Sequence, residues 1–506
     1  MRRIHGWGLL ALMLCGVHAS TAQAGGFEYT GAGTRSMGRG GAAAAAPDDP
    51  MALQFNPAML SELPGGQLML NLNNAMFDAC VSRPGTYAQD GTSGMTSVYG
   101  NSNEGTYEGR NLPTVCNQNS GIGPGLSLAY THRVSRNIGI GFGILTPMAA
   151  GHSRYSNADG SVTVDGTRLP SPVRYNLIEQ NHLQIFPTVG IGWKVNSWLH
   201  VGIALQWGIV TVSNQNIAVS QMSGEPATDL YADIQVHDYF VPAIIASVQV
   251  HPMPGLDLMI GARWIDSIRA GGTASITANR YADPNASPMA NQVTTAVNGV
   301  SLNVPQGSSI SIGARYGVQR RRSGGEAELD ALRVPDRMND EIFDLEVNAT
   351  YELNSAVDQF ELQIPDGATV DIGDGPPGPH LPPQVTLPHH WKNQLVMRLG
   401  GDWNVLPGLL AVRAGMHFET SGITPAYTQL DFLPAQRIGL HVGATVRLGK
   451  FDLSAAYSHI FQETLVVDSS IADYHQIAVL DEGRVINNGT YTSHFNVLSL
   501  GGTYHF

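Results

Sequence analysis

Arg437-Ile438-Gly439-Leu440-His441-Val442-Gly443-Ala444-Thr445-Val446-Arg447-Leu448 alternates without a break. Ile438, Leu440, Val442, Ala444, Val446 and Leu448 share one face; Arg437, Gly439, His441, Gly443, Thr445 and Arg447 share the other. Successive strand residues point to opposite sides, so the stretch predicts a strand with one greasy and one polar or small face. The pattern returns at 309–319, where Ile310, Ile312, Ala314, Tyr316 and Val318 oppose Ser309, Ser311, Gly313, Arg315, Gly317 and Gln319. It returns again at 409–419, with Leu410, Val412, Ala414, Met416 and Phe418 on the apolar side.

A soluble sandwich alternates in the same way, so three further features decide the class. The segments are long enough to cross a bilayer when tilted, about 9–11 residues. Their connections alternate between tight and long, as in outer-membrane barrels. The chain ends on Phe506, which closes a strand with Leu498, Leu500 and Tyr504 on one face, and such a terminal aromatic is expected to be read by the barrel-assembly machinery. The expected fold is all-β, a transmembrane antiparallel β-barrel of about 14 strands, an even number as single-chain barrels require. The strands are expected near 66–79, 125–133, 137–147, 182–195, 198–213, 236–251, 256–270, 308–320, 341–353, 390–404, 409–420, 436–448, 451–463 and 493–506. Long connections rich in Gly, Pro, Ser, Asn and Asp are expected at 80–124, 148–181, 214–235, 271–307, 354–389, 421–435 and 464–492. Arg315, Arg398, Arg413, Arg437 and Arg447 fall on the polar faces and are placed in the lumen, because a charge facing lipid near the midplane costs ~2–4 kcal/mol.

Composition agrees. Of 506 residues, 58 are Gly and only 14% are charged, and no run of about 18 apolar residues follows the N-terminus. The net charge of -13 offers no basic patch, so no nucleic acid is expected as a partner. Arg2 and Arg3, the apolar stretch Trp7 to Val17 and Ala22-Gln23-Ala24 read as a secretory signal over residues 1–24, with Gly25 opening the mature chain. Leu14 before Cys15 argues against a lipidated cysteine, which usually follows a small residue. Cys80 and Cys116 remain and flank a polar segment, a plausible disulfide in an oxidising compartment. Neither has a His or second Cys at ligand spacing, so no metal is expected, and no cofactor.

Residues 25–64 do not alternate. Gly31 to Gly41 is Gly-rich and carries Arg35 and Arg39, followed by Ala42 to Ala46, Pro47-Asp48-Asp49-Pro50 and Asn56-Pro57-Ala58. Phe27, Tyr29, Met51, Leu53 and Phe55 are more apolar bulk than a disordered tail needs. The segment reads as a plug inside the barrel formed by 65–506.

With these residues the chain resembles the outer-membrane long-chain fatty-acid transporter family, FadL/TodX. Gly25-Gly26-Phe27, Ser36-Met37-Gly38-Arg39-Gly40, Ala44 to Asp49 and Asn56-Pro57-Ala58 are similar to its N-terminal hatch. Phe186-Pro187-Thr188-Val189-Gly190, Trp193-Lys194-Val195-Asn196, His390-Trp391-Lys392-Asn393 and Ala456-Tyr457-Ser458-His459-Ile460-Phe461 resemble later family motifs. The resemblance implies a monomeric 14-stranded barrel with Asn56, Pro57 and Ala58 in the hatch, set among outer-membrane lipids and lipopolysaccharide in a Gram-negative cell. It implies passive uptake of long-chain fatty acids or other hydrophobic small molecules, captured at external loops and released sideways at a kink in the third strand. Gly141, Gly143 and Pro147 are the kink residues expected here, since Gly adds no packing and Pro removes a donor. Phe27, Phe55 and Phe142 are expected to wall the ligand pocket. The rival readings are an aromatic-hydrocarbon channel of the same family, a polar porin, a loop-mediated adhesin, and a barrel enzyme using His389-His390 and Asp431. No catalytic residue is otherwise expected.

Overall fold

Each alternating segment lies antiparallel beside its chain neighbour, and the last lies beside the first, so the wall closes on itself. The computed structural model describes residues 32–45, 47–87, 109–118, 123–146, 152–220, 229–278, 293–320, 336–371, 380–478 and 483–506. Fourteen strands form its wall: β1 (Gly66–Ser82), β2 (Gly123–Arg133), β3 (Ile138–Leu145), β4 (Glu179–Lys194), β5 (Leu199–Ser220), β6 (Asp229–Met253) and β7 (Leu256–Ile265). The second half is β8 (Ser309–Gln319), β9 (Glu341–Glu352), β10 (Gln394–Leu406), β11 (Leu410–Glu419), β12 (Arg437–Leu448), β13 (Phe451–Gln462) and β14 (Gly489–His505). The seam between β1 and β14 runs from Gln67 opposite His505 to Ser82 opposite Thr490.

The alternation sorts outside from inside. In β12, Leu440 is 52% exposed and its neighbour His441 3%. Ile310, Ile312 and Tyr316 likewise point out of β8 while Arg315 is buried in the bore. Arg413 and Arg437 are buried there too, with Arg398 and Arg447 partly covered on the same inner face. Trp193 and Trp198 stand out beside the β4–β5 turn, and Trp207 lies nine residues beyond Trp198, roughly 30 Å along the strand at about 3.3 Å per residue. A continuous apolar outer band bordered by aromatic rings is the surface of a barrel that spans a membrane.

Beyond the band the chain departs from the expected loops. β5 and β6 stay paired from Leu199 opposite Val250 to Ser220 opposite Asp229, so 214–220 and 229–235 of the expected loop are strand. The strand expected over 256–270 is interrupted at Asp266–Ser267 and resumes as Ile268–Ala278, in the same register along β6. It pairs with upper β6, Tyr231 opposite Thr277, and with Val293–Val304. Gln359–Gln363 and Gln384–Pro388 add a further hairpin inside the expected 354–389 loop. Abundant Gly, Ser, Thr and Asn suggested solvated loops, yet Ile268, Ala270, Ala274 and Ile276 alternate and are buried. Strand β10 begins at Gln394 rather than near 390, because His390 takes a left-handed backbone, φ 44°.

Residues 32–45 and 47–64 run inside the bore, with α1 (Thr34–Gly38), α2 (Ala52–Phe55) and a 3₁₀ turn, Pro57–Ser61. Met51, Leu53, Met59, Leu60 and Leu63 pack against Met69, Ala129 and Leu145 of the wall. Cys80 on β1 is disulfide-bonded to Cys116, whose two-residue strand Val115–Cys116 pairs with the top of β1.

Candidate functional site

The plug fits because the wall strands carry glycine where it touches. A Cβ at Gly202 would lie 2.2 Å from the Ala58 nitrogen, and one at Gly192 would lie 2.6 Å from the Pro57 carbonyl oxygen. Across the bore, a Cβ at Gly400 would stand 2.0 Å from the Arg39 carbonyl oxygen, and one at Gly415 2.2 Å from the Arg39 carbonyl carbon. Asn56 is fully buried; its Nδ2 donates to the Ala44 carbonyl at 2.9 Å and to Gln249 Oε1 at 2.8 Å. The Ala58 N–H donates to Ser247 Oγ at 3.0 Å.

The short-turn half of the bore is charged and internally paired. Arg39 Nη2 reaches Asp344 at 2.8 Å and Glu346 at 3.1 Å, while Nη1 reaches Asp402 at 2.7 Å. Arg35 pairs with Asp48 at 2.8 Å, Arg413 with Asp402 at 2.8 Å, and Arg315 with Asp257 and Asp344. Each buried carboxylate facing an arginine removes a desolvation cost that neither could bear alone. Two polar cavities of about 500 and 460 Å³ lie among these groups.

The long-loop half has a different character. Directly above the plug, a mixed cavity of about 1160 Å³ is bounded by Phe55, Arg263, Gln306 and Arg398. Beyond it lies an apolar cavity of about 950 Å³, lined by Ile217, Ile268, Leu302, Phe360 and Phe432 with His182 at its edge. The two linings adjoin, Ile265 and Gln306 bounding the lower and Ile268 and Val304 the upper. Burial in this apolar setting pushes the Tyr474 phenol upward, with the Asp431 carboxylate adding to the rise, so it stays neutral.

The residues singled out from the sequence separate accordingly. Asn56, Pro57 and Ala58 sit at the plug–wall contact, and Phe55 lines the cavity above it. Phe142 does not: it is 55% exposed on the outer face of β3, beside Tyr130. Even-numbered residues of β3 point to lipid, so its phase excludes Phe142 from the pocket. Gly141 faces inward, where an added Cβ would meet the Leu53 side chain at 3.1 Å. A Cβ at Gly143 would meet the Leu128 carbonyl oxygen at 2.6 Å. Phe506 lies on the outer face, edge-on to Tyr130 at 5.8 Å, its N–H donating to the Gly66 carbonyl. Phe27 and Pro147, like the signal segment, lie outside the described residues.

One feature escaped the sequence reading, and one candidate pair meets without the chemistry expected of it. Most of the apolar cavity is built by stretches expected as loops; the brief alternation Gln359-Phe360-Glu361-Leu362-Gln363 was the available signal. His389 and Asp431 do meet, Nε2 to Oδ2 at 2.9 Å, but His389 Nδ1 is 2.9 Å from the Leu387 carbonyl oxygen. Both ring nitrogens are therefore committed, leaving none to activate a nucleophile.

Fold and site define a membrane-spanning β-barrel, plugged from its own N-terminal side, with an apolar cavity above a charged floor. No family model matches the chain, and no curated protein matches it. Among solved structures it is similar to a Pseudomonas aeruginosa FadL homologue, TM-score 0.68 at 18% identity, over 95% of this chain and 100% of that one. It is also similar to the Ralstonia pickettii toluene transporter TbuX, TM-score 0.57 at 13% identity, covering 94% and 99% of the two chains. For the Pseudomonas putida toluene transporter TodX the values are 0.59, 12%, 95% and 99%. Over nearly its whole length, then, the chain has the FadL/TodX barrel fold.

Proposed function

We propose that the protein is an outer-membrane channel for passive uptake of hydrophobic compounds, with long-chain fatty acids as its ligands. The observation that carries this reading is the apolar cavity of about 950 Å³ standing over an ion-paired plug. Each buried CH₂ gains ~0.8 kcal/mol in such a cavity and gains nothing among the charges below. A ligand with a carboxylate would set its tail there and its head in the mixed cavity beneath, near Arg398, whose Nη1 donates to Thr350. The solved FadL homologue and the toluene transporters TbuX and TodX share the fold, which supports a hydrophobic cargo.

The way out that fits this arrangement is sideways. The β3–β4 ladder ends at Leu145 opposite Phe186, and the next described partner on that side of β4 is His152, opposite Asn181. His182, on β4 between these two pairings, lines the apolar cavity. Leu183 beside it faces lipid.

Calorimetric titration of the detergent-purified barrel with oleate and with toluene tests the cargo. Oleate binding that weakens about tenfold in Arg398→Gln supports the fatty-acid reading, the loss of one charge-assisted contact being worth roughly 1.5 kcal/mol. Toluene binding without oleate binding moves the cargo to aromatic hydrocarbons, and binding of neither removes the channel assignment.

A further inference from the structure

Near the short-turn end of the bore, three electron-pair donors converge from separate elements. Glu62 ends the plug, His200 opens β5 and His251 lies near the end of β6; their ligand atoms all fall within 4.8 Å of one another. His200 Nε2 is 3.3 Å from Glu62 Oε1, and His251 Nε2 is 3.7 Å from Glu62 Oε2. The two imidazole rings stand 4.9 Å apart at 81°.

Their other contacts fix which nitrogen is turned inward. Ser61 Oγ donates to the Ala58 carbonyl at 2.9 Å, so toward His200 Nδ1, 2.8 Å away, the hydroxyl oxygen is the acceptor. His200 therefore carries its proton on Nδ1 and presents the Nε2 lone pair. His251 Nδ1 is 2.7 Å from Asp257 Oδ1, and the other oxygen of that carboxylate, Oδ2, accepts from Arg315 at 3.0 Å, so His251 also presents Nε2. Both Nε2 atoms are buried and without a hydrogen-bond partner. Two lone pairs and a carboxylate facing one another are mutually repulsive unless a cation lies between them. Carboxylate- and hydroxyl-oriented imidazoles are the usual outer partners of a metal-bound histidine.

We propose that Glu62, His200 and His251 form a binding site for a divalent transition metal, zinc by ligand type, that fastens the C-terminal end of the plug to β5 and β6. Two nitrogens and one oxygen suit zinc, and ligands at about 2.1 Å in a tetrahedron stand ~3.4 Å apart, close to the separations present. The cavity of about 460 Å³ bordered by Glu62 gives a route of entry. Lys194 Nζ, 3.6 Å from Glu62 Oε1, competes with the ion and moves aside on its flexible stem when the metal binds. Chain separation explains why no ligand spacing shows in the sequence: positions 62, 200 and 251 meet only through the closed wall.

The test is calorimetric titration of the mature, tag-free barrel with zinc chloride after chelator treatment, with folding checked by heat-modifiable gel migration. The site predicts one zinc per chain, at least about tenfold weaker binding in His200→Gln and His251→Gln, and tighter binding in Lys194→Met. Lys194→Met keeps all three ligands, so it decides the matter even where a histidine variant fails to fold. No zinc uptake at millimolar concentration, or an affinity indifferent to all three substitutions, overturns the proposal.

Discussion

Gly202 has neighbours that leave no room for a side chain, since its absent Cβ would fall 2.2 Å from the Ala58 nitrogen of the plug. Gly202→Val should therefore cost about 1–3 kcal/mol by overpacking and push Pro57–Ala58 off the wall. Planar-bilayer recording checks it: a steady ionic current is expected from the variant and near silence from the parent. Arg39→Met tests the opposite contact, where Asp344, Glu346 and Asp402 would lose their shared cation. Breaking buried pairs typically costs about 3–5 kcal/mol, so this variant should leak more than Gly202→Val. At this scale the sequence told only half. Gly202, Gly400 and Gly415 lie on small or polar faces, but nothing in a strand names what lies against it. Asn56-Pro57-Ala58 stood out by resemblance, whereas the Glu62–His200–His251 cluster had no local signal at all.

The strands themselves were legible because each carries its own evidence in the alternation, and β8, β12 and β13 begin and end within a residue or so of expectation. The upper hairpins were not, since short strands above the membrane face water and are written in turn-forming residues. Phe142 was misplaced for a simpler reason: apolar bulk was taken for pocket lining where strand phase sends it to lipid. Two outcomes belong to elements. If ligand leaves between β3 and β4, Gly143→Val, whose Cβ would press on the Leu128 carbonyl, should slow oleate uptake into cells several-fold while leaving oleate affinity unchanged. Equal losses in both would instead mean damage to the cavity. The Cys80–Cys116 bridge spans 36 residues, so Cys80→Ser with Cys116→Ser should lower stability by about 3–4 kcal/mol at most, read as a fall in Tm.

For the molecule as a whole, the outer band makes the membrane the solvent. Val442→Lys, in the middle of β12, should reduce unfolding free energy in lipid vesicles by ~2–4 kcal/mol, as measured by urea titration. An indifferent result there would mean the band does not face hydrocarbon. The plug, finally, touches the wall at many points, and two of its tightest contacts lie almost opposite each other: Pro57–Ser61 against β3, β4, β5 and β6, and Arg39 against β10 and β11. A body bonded at both ends of a diameter acts on a cylinder as a spoke acts on a rim. It fixes the width of the ring, so the fourteen strands cannot flatten into an ellipse without breaking it. Whatever loosens one end of that spoke changes the roundness of the barrel, and with it the fit of the wall around the cavities it encloses.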